Sequence, residues 1–255
     1  MKELFEAFQN YFRIVIADTP ALREQVHRLR YEVFCKEFHF EREEDCPGGL
    51  EQDEYDQRSI HCLIIHKASN MPAGCVRLVK TAENNPAALL PFEKYCGDSL
   101  YQGDLHPSRL PREHLSEISR LTVASTFRRR PGEIQSPLGN LAELKFDEVE
   151  YRLFPLISFV IFMVILSLSM STKIQGWFAM MEPWLGNHLQ KVGFSFQQAG
   201  EPTKYHGTRV AFYYTVERAL QDTARVPMLR DIFSLIGPII KAEAIRANLD
   251  WQEVA

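Results

Sequence analysis

The stretch SEISRLTV, residues 116–123, decides how this chain is read. Ile118, Leu121 and Val123 suit a buried strand, yet Glu117 and Arg120 interrupt them. Side chains alternate between faces along a regular strand, so residues 117 and 120 point to opposite sides of a sheet. They share one site only where the strand bulges or splays, and bulges gather next to active sites. Taken alone, the pair reads either as a structural ion pair or as an acid–base group beside its orienting cation.

The flanks supply the context. YFRIVIAD (11–18) has the apolar density of a strand. TPALREQVHRLRYEVFCKEF (19–38) reads as a helix capped by Thr19, with Pro20 in its first turn and Leu22, Val26, Leu29 and Val33 on one stripe. A loop, CPGGLEQDEYDQRS (46–59), precedes two strands, HCLIIHK and GCVRLVK, whose connection ASNMPA makes a hairpin. Residues 81–111 are rich in proline, glycine and polar side chains and read as an insertion ahead of the 116–123 strand. A helical region follows, ending in an apolar run. Next come a strand at 174–181, a short helix at 182–193 begun by Pro183, and two strands in FSFQQAG and GTRVAFYYTV. The tail is helical, with breaks expected at Pro227 and at Gly237–Pro238. This order predicts α/β architecture with a mixed sheet: one domain over residues 1–220, and a helical extension over 221–255 packed on it.

Composition narrows the function classes. The 255 residues are 45% hydrophobic and 24% charged, as in an ordinary globular protein. A formal charge of −4 gives no global attraction to nucleic acid or to an anionic membrane. Five cysteines form no CxxC and no metal-ligand spacing, which fits buried thiols in a reducing cytoplasm. The run FPLISFVIFMVILSLSM (154–170) is 17 residues, contains Pro155, and falls short of the ~20 apolar residues of a membrane span. It reads as a buried helix; a membrane-surface element and a span are the alternatives, with peripheral membrane contact the most that is expected.

Four groups of residues are chemical candidates. Asp53 and Asp56 in EQDEYDQ form either a solvated acidic loop or part of a site. Arg77 interrupts the strand GCVRLV, and Arg30 lies near the apolar stripe of its helix. An arginine buried without a partner costs several kcal/mol, so these two arginines and two aspartates are expected to compensate one another at the edge of a cleft. Glu117 and Arg120 are the third group. The fourth is Arg128, Arg129 and Arg130 in STFRRRPG, either a solvated surface or a docking point for the phosphate of a pantetheine-bearing donor or an acidic carrier. His61 and His66 make no convincing metal site, and no metal is expected. No QxxGxG/A loop, GxSxG, P-loop or HExxH is present.

In this order, Arg30 and Phe34 in LRYEVF, Asp53 and Asp56 in DEYD, Arg77 in GCVRLV, and Glu117 and Arg120 in EISR resemble the signature of acyl-homoserine lactone synthases and of the related N-acyl amino acid synthases. Along most of its length the chain also resembles the acyltransferases associated with the PEP-CTERM/exosortase system. The resemblance implies an N-acetyltransferase-like (GNAT) fold, a mixed central sheet flanked by helices with a splayed central strand. It implies an N-acyltransferase that moves a medium or long fatty acyl group from an acyl carrier protein, or from CoA, to the amine of an amino acid or related small molecule. By position, Glu117 removes a proton from the attacking amine through water, and Arg120 acts beside it. Arg30, Asp53, Asp56 and Arg77 shape the cleft, Phe34 and Phe40 line it, and Arg128–Arg130 dock the donor. The thioester is the co-substrate and no further cofactor is implied. Phe40 stands where lactone synthases usually carry tryptophan, and the insertion alters the wall before the catalytic strand, so lactone formation does not follow. Without a glycine-rich phosphate loop, a carrier-protein donor is favoured over CoA. The competing class is a non-catalytic module of the same fold that binds a lipid or small molecule, in which Glu117 is buried against Arg120 or the strand gap is closed.

Overall fold

In a computed structural model, which describes residues 2–82, 85, 87–128, 148–170 and 172–249, the apolar runs pair into one eight-stranded sheet. Its strands are β1 (Phe12–Ile16), β2 (Ser59–His66), β3 (Pro72–Lys80), β4 (Leu115–Val123), β5 (Gly176–Met181), β6 (Gln197–Gln198), β7 (Thr203–Lys204) and β8 (Thr208–Thr215). Their order is β1-β2-β3-β4-β5-β8-β6, with β7 also paired to β8. Every pairing is antiparallel except β4 with β5. That one parallel pair requires a crossover, and the helices α4 (Glu148–Leu153) and α5 (Leu156–Met170) lie on it.

The uniform apolarity of α5 follows from its position. One side meets β3, where a Cβ on Gly74 would stand 3.0 Å from both Ile157 Cγ2 and the Thr122 carbonyl oxygen, so only glycine admits the helix this closely. The other side meets α8 (Pro227–Arg246), and eleven of its fifteen residues are buried. Among the described residues no helix is long and apolar enough to cross a membrane. Residues 154–170 are thus an internal layer. The indole N–H of Trp177 on β5 donates to Ser169 Oγ at 2.8 Å, pairing two polar groups that this layer buries.

Several elements depart from the sequence reading. The first residues form a helix, α1 (Lys2–Tyr11), that the sequence reading did not anticipate; Phe5, Phe8 and Phe12 stack along it into the main core. Helix α2 (Pro20–Arg30) starts at Thr19 as expected, with Thr19 Oγ1 accepting from the Leu22 amide at 3.3 Å. It does not continue as an α-helix to residue 38: Tyr31–Glu37 form a wider, π-helical turn. The tail breaks at Pro227, after α7 (Val216–Arg225), but α8 runs straight through Gly237–Pro238. Proline inside a helix costs about 3 kcal/mol and glycine about 1. Leu229, Ile232, Ile236, Ile240 and Ala244 are all buried on one stripe of α8, and at about 1.5–3 kcal/mol for each large side chain their packing outweighs that cost.

The insertion also has structure. Helix α3 (Pro91–Cys96) brings Leu90 and Phe92 against Val79, Leu115, Phe178 and Tyr213, a second and smaller core on the face opposite α5. Phe92 stacks on Phe178 with ring centroids 4.5 Å apart. Helix α6 (Pro183–Lys191) follows β5 as expected.

Gly237 offers a test of the α8 argument. A Cβ there meets nothing within 4 Å, so Gly237→Ala is expected to stabilise the protein by about 0.5–1 kcal/mol, read as a higher urea midpoint at unchanged slope. A lower midpoint would show that the helix needs glycine flexibility at this point.

Candidate active site

The opening conflict is resolved by a bulge. Between β3 and β4 the register passes from Arg77↔Ser119 to Cys75↔Thr122, so two steps on β3 face three on β4. The extra residue lies at Arg120, whose φ of 52° is left-handed. A left-handed arginine is strained, and such strain persists only where its surroundings hold it. Here they do: its guanidinium donates to Glu51 from Nε at 3.2 Å and to Glu41 from Nη2 at 2.9 Å, and it lies 5.3 Å from the Phe34 ring centre. The bulge breaks the alternation of faces and turns Arg120 toward the same acidic loop that Arg77 meets.

That loop is built by turns. Gly48 and Gly49 hold φ values of 72° and 69°, which lets CPGGL reverse and drives Glu51 inward. Asp53 then caps a short 3₁₀ turn (Glu54–Arg58): its Oδ1 accepts from the Tyr55 amide, while Asp56 Oδ2 accepts from the Asp53 amide at 2.8 Å. Three guanidiniums meet these acids. Arg30, fully buried, donates to Glu51 and, at 2.7 Å, to Asp56 Oδ1. Arg77 donates from Nη1 to Asp53 at 2.5 Å and Asp56 at 2.9 Å, and from Nε to Ser119 Oγ. Burial alone would push the Glu51 carboxyl up, but Arg120 and Arg30 hold it at about 2. Asp56 is likewise held well below the usual carboxylate range by Arg30 and Arg77 against the effect of burial.

Glu117 is kept apart from this exchange. It is 4% exposed, and its Oε2 accepts from the Phe92 amide at 2.8 Å, the second residue of α3. Burial pushes its carboxyl up to about 7, against the pull of that N–H and of Arg77 and Arg120. A carboxyl near 7 is half ionised at neutral pH, as a general base requires.

The central strands splay beside it. β4 pairs with β5 only from Leu115↔Gly176 to Ile118↔Ala179, although both strands continue. A cavity of about 460 Å³ fills the gap, with Glu117, Ser119 and Arg120 at one wall and Phe34, Phe40 and Phe162 among its apolar lining. A second cavity, about 340 Å³, lies over the acidic loop and Arg77. The two share Glu41, Pro91, Arg120, Tyr205 and His206, so an apolar chamber and a polar one meet beside the bulge.

The structure therefore brings together Arg30, Phe34, Phe40, Asp53, Asp56, Arg77, Glu117 and Arg120. Helix α5 contributes only Ser158 and Phe162 to the gap and otherwise serves the core. Arg128 is exposed: it donates to the Val123 carbonyl and pairs with Glu37, while Arg129 and Arg130 lie outside the described residues. Sequence reasoning missed Glu41, Glu51, Phe92, Tyr205 and His206. The glycine pair two residues before Glu51 was a usable signal; nothing local marked the others. His27, Asp56 and His61 place ligand-type atoms within 4.8 Å of one another. Asp56 already accepts two guanidiniums and an amide, and Arg30 and Arg77 bring positive charge to it, so this cluster suits a divalent cation poorly.

The raised Glu117 value has a stability consequence. Its folded-state value lies above the unfolded one, so this group favours the folded state at low pH and loses that contribution as pH rises through 7. Glu117→Gln, neutral throughout, is expected to match the parent near pH 4 and to exceed it above pH 7 by up to roughly 3 kcal/mol. Urea titrations at both pH values check this; a variant less stable than the parent at both would make Glu117 a structural ion-pair partner.

Comparison with known proteins agrees with this architecture. Residues 29–135 match the family model described as an acetyltransferase (GNAT) domain. No curated protein matches the chain. Among solved structures, the CoA-dependent acyl-homoserine lactone synthase BjaI, with SAM and isopentyl-CoA, is similar at TM-score 0.57 and 17% identity over 94% of this chain and 99% of that one. The AHL synthase LasI gives 0.55 and 18% over 80% and 89%. FeeM, an N-acyl amino acid synthase from uncultured soil microbes, gives 0.52 and 13% over 86% and 97%. The chain has the GNAT-like acetyltransferase fold, a mixed central sheet flanked by helices and opened between β4 and β5.

Proposed function

We propose that this protein is an N-acyltransferase that moves a medium or long fatty acyl group from a thioester donor to the amine of an amino acid or related small molecule. The observation that carries this reading is the open β4–β5 gap with Glu117 on its wall, where an apolar chamber meets a polar one. The similar structures support it, since BjaI and LasI are acyl-homoserine lactone synthases and FeeM is an N-acyl amino acid synthase. A non-catalytic module is disfavoured because the Arg120 guanidinium is bonded to Glu51 and Glu41, while Glu117 accepts from the Phe92 amide instead.

The chemistry follows from the geometry. The acyl tail lies in the apolar chamber, each buried CH₂ contributing about 0.8 kcal/mol. The acceptor ammonium enters from the polar chamber and gives its proton, through water, to Glu117, a contribution of roughly 10²–10⁴-fold. The freed nitrogen attacks the thioester carbonyl. A backbone N–H on the unpaired stretch of β4 stabilises the oxyanion, where one such donor is worth about 3 kcal/mol. The C–S bond then breaks, the amide forms, and the thiolate leaves with a proton returned from the site. Arg120 and the acids around it fix the charge pattern against which the acceptor is oriented.

The donor is an acyl carrier protein or CoA; BjaI is CoA-dependent and was solved with isopentyl-CoA. A cytoplasmic location belongs to the same proposal and rests on the five free cysteines, and the narrower affiliation with the PEP-CTERM/exosortase acyltransferases rests on the sequence resemblance. So does donor docking by Arg128, Arg129 and Arg130. Exchanging all three for glutamine is expected to weaken binding of an acyl carrier donor, most at low ionic strength. Equal affinity at low salt would remove that assignment.

The central test is turnover with acyl-carrier and acyl-CoA donors against a panel of amino acids, simple amines and S-adenosylmethionine, read by mass spectrometry. Parental kcat/KM should climb with pH through about 7 as Glu117 ionises. Glu117→Gln should stay folded and bind donor, but lose roughly 10²-fold or more of turnover and that pH dependence. Near-parental turnover of the folded variant would falsify the proposed base.

A further inference from the structure

We propose that Arg209 holds the carboxylate of an amino-acid acceptor, so that this site takes α-amino acids in preference to simple amines. This rests on the acyl-transfer reading and names the class and orientation of its acceptor. An α-amino acid carries a negative charge next to the reacting nitrogen, and the cleft has to meet that charge with a cation. Among the described residues that line the two chambers, the guanidiniums are those of Arg77, Arg120 and Arg209. The first two are committed: Arg77 Nη1 is shared by Asp53 and Asp56, and Arg120 by Glu41 and Glu51. A substrate carboxylate at either would have to displace a protein acid from a buried pair.

Arg209 stands differently. It follows the turn between β7 and β8, where left-handed His206 and Gly207, with φ values of 50° and 92°, fold the chain back on itself. Its guanidinium lies 5.5 Å from the centre of the Phe40 ring, on the wall of the cavity that Glu117 also lines. Nη1 donates to Glu182 Oε1 at 3.0 Å and to the Thr208 carbonyl at 3.2 Å. Among the described residues, Nε and Nη2 have no hydrogen-bond partner. These two N–H groups form one edge of the planar fork, spaced to take both oxygens of a carboxylate. The Arg209 side chain is only 13% exposed, so a bond made there is weakly screened, whereas Glu182 is 41% exposed and free to turn into water. Glu182, held as well by the indole N–H of Trp184, shows that this guanidinium takes a carboxylate. Because Arg209 lines the apolar chamber and not the polar one, it draws the acceptor carboxylate away from Glu41, Glu51 and Asp53 while the nitrogen faces Glu117. A simple amine lacks that bond.

The test uses the whole chain with L-leucine, L-phenylalanine and L-lysine, each beside its primary amide, which keeps the size and the amine but removes the negative charge. Calorimetry at a pH where both amines are protonated, with and without coenzyme A, reads binding; mass spectrometry with decanoyl-CoA reads transfer. At least one acid is expected to bind more tightly than its amide by roughly tenfold or more. In Arg209→Gln that ratio should fall to near one, and in Arg209→Lys, which keeps the charge without the fork, to an intermediate value. Glu182→Gln removes the resident competitor and should bind the acid severalfold more tightly; no gain there makes the Arg209–Glu182 pair merely structural and overturns the proposal. Equal binding of every acid and its amide by the parent also overturns it, as does a failure of all six molecules to bind, or an unchanged ratio in folded Arg209→Gln. A higher KM for decanoyl-CoA in that variant, with the ratio intact, would assign the guanidinium to the donor's phosphate instead. Acid-selective binding without transfer from any donor would leave this inference standing and remove the acyl-transfer reading; equal transfer to acids and amides would do the opposite. The parent comparison and Glu182→Gln decide the matter even where Arg209→Gln fails to fold.

Discussion

Three guanidiniums withdrawn from water on one face of a sheet set the terms for the rest of this structure. Arg30 and Arg77 are essentially fully buried, and Arg120 is nearly so. A lone buried charge of this kind is unaffordable, while a pair broken on one side loses about 3–5 kcal/mol. The chain meets the demand by folding residues 41–56 over the sheet so that Glu41, Glu51, Asp53 and Asp56 interleave with the arginines. The turn at Gly48–Gly49, the capping box at Asp53 and the left-handed Arg120 are local costs accepted for that neutralisation. The same pairing fixes one wall of each chamber, so stability and cleft shape are set by one set of bonds.

Much of this was legible before any coordinates. Hydrophobic runs located β1, β2, β3, β4, β5 and β8, and Thr19, Pro20 and Pro183 marked helix starts, because these signals act within a few residues. The compensation of Arg30 and Arg77 by Asp53 and Asp56 followed from the cost of burying charge, an argument that needs no distances. The two-faces problem at Glu117 and Arg120 pointed to a bulge, and the register places one there.

What escaped was non-local. Glu51 and Glu41 sit in polar stretches where nothing separates a solvated acid from a buried one until Arg120 is known to face them. The Phe92 amide reaches Glu117 across 25 residues, through an insertion whose composition suggested a loop. Helix breakers misled at Gly237–Pro238 because local propensity was outweighed by the apolar stripe that α8 buries. The widening of the chain at Tyr31–Glu37 had no sequence mark, yet it lets the Phe34 carbonyl accept the Phe40 amide at 2.7 Å and places both rings along the chamber.

The burial of α5 bears on how the protein is made. This helix emerges from the ribosome after β2, β3 and β4, on which one side packs, but before α7 and α8, which cover the other. Its last cover, α8, is fastened to the first strand: the Ile16 amide donates to Glu243 at 3.1 Å and Arg246 pairs with Asp18 at 2.9 Å, contacts spanning 227 and 228 residues. One side of an apolar rod of fifteen residues therefore stays uncovered until α8 has been translated. The nascent polypeptide needs shelter during that interval, and a product cut short before residue 227 would present this surface to a chaperone or a protease.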